Sequence, residues 1–119
     1  MEIKPMYITF QQAKLLKEKG FDVRLKKVYN ILGELWDSHY QYMENSNPDC
    51  GAVCVAPEQW VVVEWLRVKF GILSSTIFIN KDFYAYVLHK RKGGWNSKFF
   101  KTPQEATSAA IDYVLTNLI

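Results

Sequence analysis

The chain has 119 residues, of which 49% are apolar and 15% aromatic, and a formal net charge of +3. That length suits one domain that buries roughly two-thirds of its unfolded surface, so no metal or disulfide staple is required, and the apolar content excludes a disordered chain. The charge excess is too small to announce a nucleic-acid binder, no apolar run approaches the ~18 residues of a membrane span, and MEIKPMYITF has neither the apolar core nor the cleavage site of a signal peptide.

The first predicted element is a helix over residues 9–19, TFQQAKLLKEK. Thr9 suits the N-cap, Gln12 completes a capping box, and Gly20 ends the helix. Phe10, Ala13 and Leu16, with Leu15 at the margin, form its buried stripe; Lys14, Lys17, Glu18 and Lys19 read as a solvated face. From 21 to 43 the pattern weakens. Val23, Leu25, Tyr29 and Ile31 can alternate as one strand and Trp36, Ser38, Tyr40 and Tyr42 as another, with Gly33 near the turn. Residues 44–51, ENSNPDCG, are dense in turn formers and read as an exposed loop, and 52–55 offer one short strand.

The stretch 56–71, APEQWVVVEWLRVKFG, is the most strongly determined. Pro57 suits the first helical position, Glu58 places negative charge where the helix dipole favours it, and Gly71 ends the helix. At about 100° per residue, Val62, Val63, Leu66 and Phe70 form one apolar stripe, and Val61, Trp65 and Val68 form another. Glu58 and Lys69 separate the stripes on one flank, Glu64 and Arg67 on the other. One stripe is enough to face a core. Two imply cover on both sides, by the N-terminal part of the same chain or by a second copy.

Residues 72–80 and 82–90 are rich in β-branched and aromatic residues and read as a hairpin turning at Asn80, Lys81 and Asp82. Leu73, Ile77 and Ile79 share one face of the first strand; Phe83, Ala85 and Val87 share one face of the second. Lys92, Gly93 and Gly94 form the next turn, and 95–101 a third strand. Residues 102–119 form the last helix, with Thr102 as N-cap, Pro103 at the first position and Glu105 completing a capping box. Ala106, Ala109, Ala110, Tyr113, Val114 and Leu118 make its packing side. The expected architecture is a single α+β domain over 1–119. A small antiparallel sheet of about three strands is packed by the central and C-terminal helices, and the N-terminal helix and irregular or β segment cover the other side.

The segments ITFQQAKLLKEKGFD, VAPEQWVVVEWLRVKFGI and FKTPQEATSAAIDYVLTNLI, with the aromatic hairpin between the last two, resemble a family of small uncharacterised proteins of Bacteroides-type bacteria and their phages and prophages. The resemblance spans nearly the whole chain and implies a setting, an intracellular accessory protein of a phage or mobile element. It carries no catalytic or binding residues. The order helix, three strands, helix is also similar to that of the double-stranded RNA-binding domain, which holds phosphates with lysines at the start of its last helix. Here that position reads Thr102, Pro103, Gln104, Glu105, and the acidic Glu105 argues against duplex binding.

Each candidate site has a plain alternative. His89, Lys90, Arg91 and Lys92 near Trp95, Tyr84 and Tyr86 combine cations and rings, as single-stranded nucleic acid requires, but also suit an exposed turn whose lysines discourage edge pairing. Cys50, Cys54, His39 and His89 lack the paired spacing of a zinc site, and the two cysteines read as reduced thiols of a cytoplasmic protein. Asp37 and His39 with Cys50 or Cys54 are the only polar set that could be weighed for nucleophilic catalysis, and the chain has no phosphate loop, nucleophile elbow or zinc-protease helix. No enzyme activity, cofactor or metal is expected. The expected function is protein–protein binding or self-association through Trp60, Val61, Trp65 and Val68, because tryptophans dominate binding hot spots. The alternative is nucleic-acid binding through Lys90, Arg91, Lys92 and Trp95.

Overall fold

In the computed structural model, which describes residues 5–38, 42–45, 52–90, 93–96 and 98–119, Thr9 caps helix α1 (Phe10–Glu18). Its hydroxyl accepts from the Gln12 N–H at 3.1 Å, and the Gln12 side chain accepts from the Thr9 N–H at 3.0 Å. Both halves of the expected capping box are present. At the other end Gly20 adopts φ +89°. Its N–H donates to the Lys17 carbonyl and that of Phe21 to the Leu16 carbonyl, the bond pair of a Schellman turn. Leu16 and Phe21, the two positions such a turn brings together, are fully buried.

The chain forms two compact units, Met1–Glu58 and Gln59–Ile119. In the first, strand β1 (Lys27–Asn30) lies between β2 (Leu35–Asp37) and β3 (Ala52–Val55) in an antiparallel sheet. The β1–β2 turn is set by Asn30, whose side-chain oxygen accepts from the N–H groups of Leu32 and Glu34 at 2.9 and 3.0 Å, and by Gly33 at φ +77°. Tyr29 faces α1: its ring lies 5.4 Å from that of Phe10, and its hydroxyl donates to the Ile8 carbonyl. The strands are shorter than expected. Val23 and Leu25 precede β1, because Leu25 instead exchanges backbone bonds with Met43 at 2.9 and 2.8 Å; Ile31 falls in the exposed turn. Tyr40 lies outside the described residues.

Two further expectations are corrected here. Asn45, read as part of an exposed loop, is buried, and residues 46–51 of that run lie outside the described residues. Lys17, read as solvated, donates from Nζ to the Val53 carbonyl at 2.7 Å, its long stem covering the sheet on the way.

In the second unit α2 (Gln59–Phe70) begins two residues after the proline expected to open it. The Pro57 carbonyl accepts from the Ile8 N–H at 3.1 Å and Glu58 bridges to Tyr7, so both residues are held extended. Gly71, at φ +67°, ends the helix as expected, its N–H donating to the Arg67 carbonyl at 3.0 Å. Strands β4 (Leu73–Asn80), β5 (Phe83–Lys90) and β6 (Gly93–Asn96) follow as an antiparallel sheet in chain order. Gly93 and Gly94, expected in a turn, already pair with Lys90 and His89, and Phe100 continues the edge by exchanging both backbone bonds with Tyr84 at 2.6 Å. Helix α3 (Pro103–Tyr113) is capped by Thr102, whose hydroxyl accepts from the Glu105 N–H at 3.1 Å. The return bond of a full capping box is not made. A π-helical turn, Val114–Leu118, closes the chain.

The pairing Ile77↔Ala85 and Ser75↔Val87 puts the anticipated apolar positions on one face. A register shift between Phe78 and Asn80 takes Ile79 out of that alternation. The helices use the opposite face. Thr76 Oγ1 lies 2.8 Å from Thr107 Oγ1 of α3, and Tyr86 and Leu88, which share that side, are buried. The buried side of the last helix is Ala106, Ala110, Ile111, Val114 and Leu115, rotated from the expected stripe, with Ala109, Tyr113 and Leu118 only half-buried. The described residues therefore make an α+β protein with three α-helices and two three-stranded antiparallel sheets.

Candidate interaction surface

The two stripes of α2 separate in the structure. Gln59, Val62 and Leu66 are buried, and Gln59 is satisfied there, its Nε2 donating to the Gln104 carbonyl at 3.1 Å. Of the second stripe, Val61 and Trp65 are half-buried and Val68 is 70% exposed. Trp65 leans edge-on against Phe70, with ring centroids 5.2 Å apart. Trp60 is 67% exposed. At 100° per residue Trp60 and Val68 lie about 80° apart on the outer half of the helix, with Glu64 between them.

Glu64 is paired with Arg67, whose Nε donates to Oε2 at 3.1 Å. The hydrogen bond from Arg67 lowers the Glu64 pKa and raises that of Arg67. The charges on this face thus cancel locally. What the face presents is an indole, an isopropyl group and a closed ion pair.

A pocket opens beside Trp60. It measures about 280 Å³ and is lined by Gln59, Trp60, Val63, Ser74, Thr76 and Thr107, so α2, β4 and α3 each supply a wall. Thr107 Oγ1 lies 2.9 Å from the Pro103 carbonyl, and no charged group lines the pocket. A second apolar cluster stands at the end of the β4–β5 hairpin. Phe78 is 65% exposed there, 5.7 Å from the Tyr84 ring, and Phe83 packs 6.0 Å from Phe99. The site candidates read from the sequence do not include this cluster; the signal for it was a strand, ILSSTIFIN, with no charged residue.

The other candidates are placed as follows. Lys90 ends β5 and Trp95 pairs with Leu88 in β6, while Arg91 and Lys92 lie outside the described residues. His39 and Cys50 also lie outside them, and among the described residues no three His, Cys, Asp or Glu side chains gather as metal ligands. Asp37 pairs with Lys27 at 3.7 Å. Cys54 is buried on the α1 face of the first sheet, opposite Tyr29. Burial pushes its thiol pKa up against the opposing pull of Lys17 and Lys14, so it is held as a thiol rather than as a nucleophilic thiolate. No helix among the described residues is long and apolar enough to cross a membrane. Comparison with known families, with curated proteins and with solved structures finds no match to this chain.

Proposed function

We propose that the chain is a non-enzymatic binding protein that acts through protein–protein contact or self-association on the outer face of α2. The observation that carries this reading is the exposure of Trp60 and Val68 on one half of a helix whose other half is buried. An exposed indole offers a large, stiff apolar area at small entropic cost. The Glu64–Arg67 pair beside it leaves no net charge to attract a polyanion. The sequence resemblance to small phage and prophage proteins supports an accessory role in the cytoplasm, where such proteins bind a component of the host.

Native mass spectrometry on the protein recovered gently, at low salt, from cells that make it tests the reading. Wild type is expected to carry an additional protein mass or a second copy, and the double variant Trp60→Ala, Val68→Ala, with unchanged circular dichroism, to lose it. Both side chains are mostly exposed, so their removal spares the core. A bare monomer would end this reading. Bound nucleic acid, lost when Lys90, Arg91 and Lys92 are changed to alanine, would replace it with the alternative.

A further inference from the structure

We infer that the outer edge of β4 pairs with the same edge of a second copy, antiparallel about Thr76, and that each copy seats its Phe78 in the other's pocket between α2, β4 and α3. This rests on reading the chain as a binding protein and names the partner. The first observation is the edge itself. β4 is the outer strand of its sheet and is eight residues long. Tyr84 spends its backbone groups on Phe100, on the far side of β5. Backbone direction alternates along a strand, so Ala85, Val87 and His89 turn theirs toward β4, where they meet Ile77, Ser75 and Leu73. Ser74, Thr76 and Phe78 then direct their N–H and C=O groups outward. Among the described residues no backbone group takes them.

Natural edges of this length are normally guarded by lysine, proline or a covering segment. Residues 72–80, ILSSTIFIN, contain no charge and no proline. Pairing about Thr76 sets Thr76 against Thr76, Ser75 against Ile77 and Ser74 against Phe78. No like charges are opposed, and threonine pairs are among those that stabilise antiparallel strands. The arrangement is isologous and closes at two copies.

The second observation is independent of the first. Ser74 lines the pocket beside Trp60, and in this register the residue directly across from Ser74, on the same face, is the partner's Phe78. That ring is 65% exposed in its own unit. The pocket, at about 280 Å³, exceeds the roughly 150 Å³ that holds a benzene molecule. Trp60 supplies an aromatic wall against which the ring packs.

Sedimentation velocity of the full chain from ~5 to ~300 μM, a range suited to a small interface, is expected to show conversion from monomer to dimer. Phe78→Lys should weaken the dimer at least about tenfold, while Ile31→Lys in the exposed β1–β2 turn should leave it. Hydrogen exchange supplies a readout in unaltered protein. The amides of Ser74, Thr76 and Phe78 should gain protection as concentration rises, while those of Ser75 and Ile77 are protected throughout. A wild-type monomer at the top of the range overturns edge pairing, and if a different protein is still bound and lost in the Trp60, Val68 variant, the reading of α2 as a binding face stands. A dimer lost in Val68→Lys but not in Phe78→Lys, or one without the alternating exchange pattern, also overturns the pairing.

Discussion

Asn45 joins two distant points of the first unit with one side chain: Nδ2 donates to the Phe21 carbonyl at 2.7 Å and Oδ1 accepts from the Val55 N–H at 2.9 Å. Asn45→Ala removes both bonds and leaves the buried Val55 N–H without its acceptor, and is expected to cost about 1–3 kcal/mol in urea denaturation. Nothing in the run ENSNPDCG distinguishes this asparagine from a turn former, because its partners are 24 and 10 residues away. Cys54 supports a pH prediction. Its thiol pKa is raised by burial, and so is that of the neighbouring Tyr29, where burial leads and Cys54 adds. A folded pKa above the unfolded one gives stability that is complete below the unfolded pKa and is lost as pH rises through the folded value. The urea midpoint should therefore hold between pH 7 and about 8.5 and fall above it. Cys54→Ala should lower the midpoint at neutral pH but flatten the first part of the alkaline fall; an unchanged slope in that variant would assign the fall to other groups.

At the scale of elements, the helix ends are where local chemistry decides most. Thr9→Ala and Thr102→Ala should each cost about 1 kcal/mol, with Thr9 the more damaging because its cap is reciprocal. Gly20→Ala meets nothing within 4 Å and pays only for its φ of +89°, about 1–2 kcal/mol. At Gly33 a Cβ would also stand 2.9 Å from the Phe10 ring, so Gly33→Ala should be the worse of the two when thermal midpoints are compared. These caps and glycines are local signals, and for that reason α1, the end of α2 and the start of α3 could be placed from the sequence. The short strand at 52–55 was legible as well, but those between 21 and 43 were not, since they span four and three residues and the segment is held by bonds such as Leu25 to Met43 that no short window contains. In β4 and β5 the two-residue period assigned the faces but not which of them the helices would cover. Tyr86 and Leu88 occupy that side, against the stripe that hydrophobicity alone favoured. For the candidate surface, the doubled stripe of α2 was apparent, whereas the pocket beside Trp60 was not, because its walls come from three elements.

For the molecule as a whole, charge separates the two functional readings. The net charge is +3, and Arg24, Lys27 and Arg67 are each paired with a carboxylate. Such a weak field is screened beyond about 8 Å at physiological ionic strength, so it neither drives nor prevents the meeting of two copies. An interface made of the β4 edge, Phe78 and Trp60 draws on backbone hydrogen bonds and apolar burial. Its dissociation constant should change by no more than about twofold between 0.05 and 0.5 M NaCl, and sulfate should strengthen it. Nucleic-acid binding through Lys90, Arg91 and Lys92 behaves otherwise. Three phosphate contacts on a single strand give a logarithmic salt slope near −2, so affinity falls about a hundredfold over that range. Measuring self-association and binding of a single-stranded oligonucleotide along the same salt series decides between them. A salt-insensitive dimer with no retained oligonucleotide supports the protein interface, and a complex that dissolves with a slope near −2 removes it in favour of the basic hairpin end.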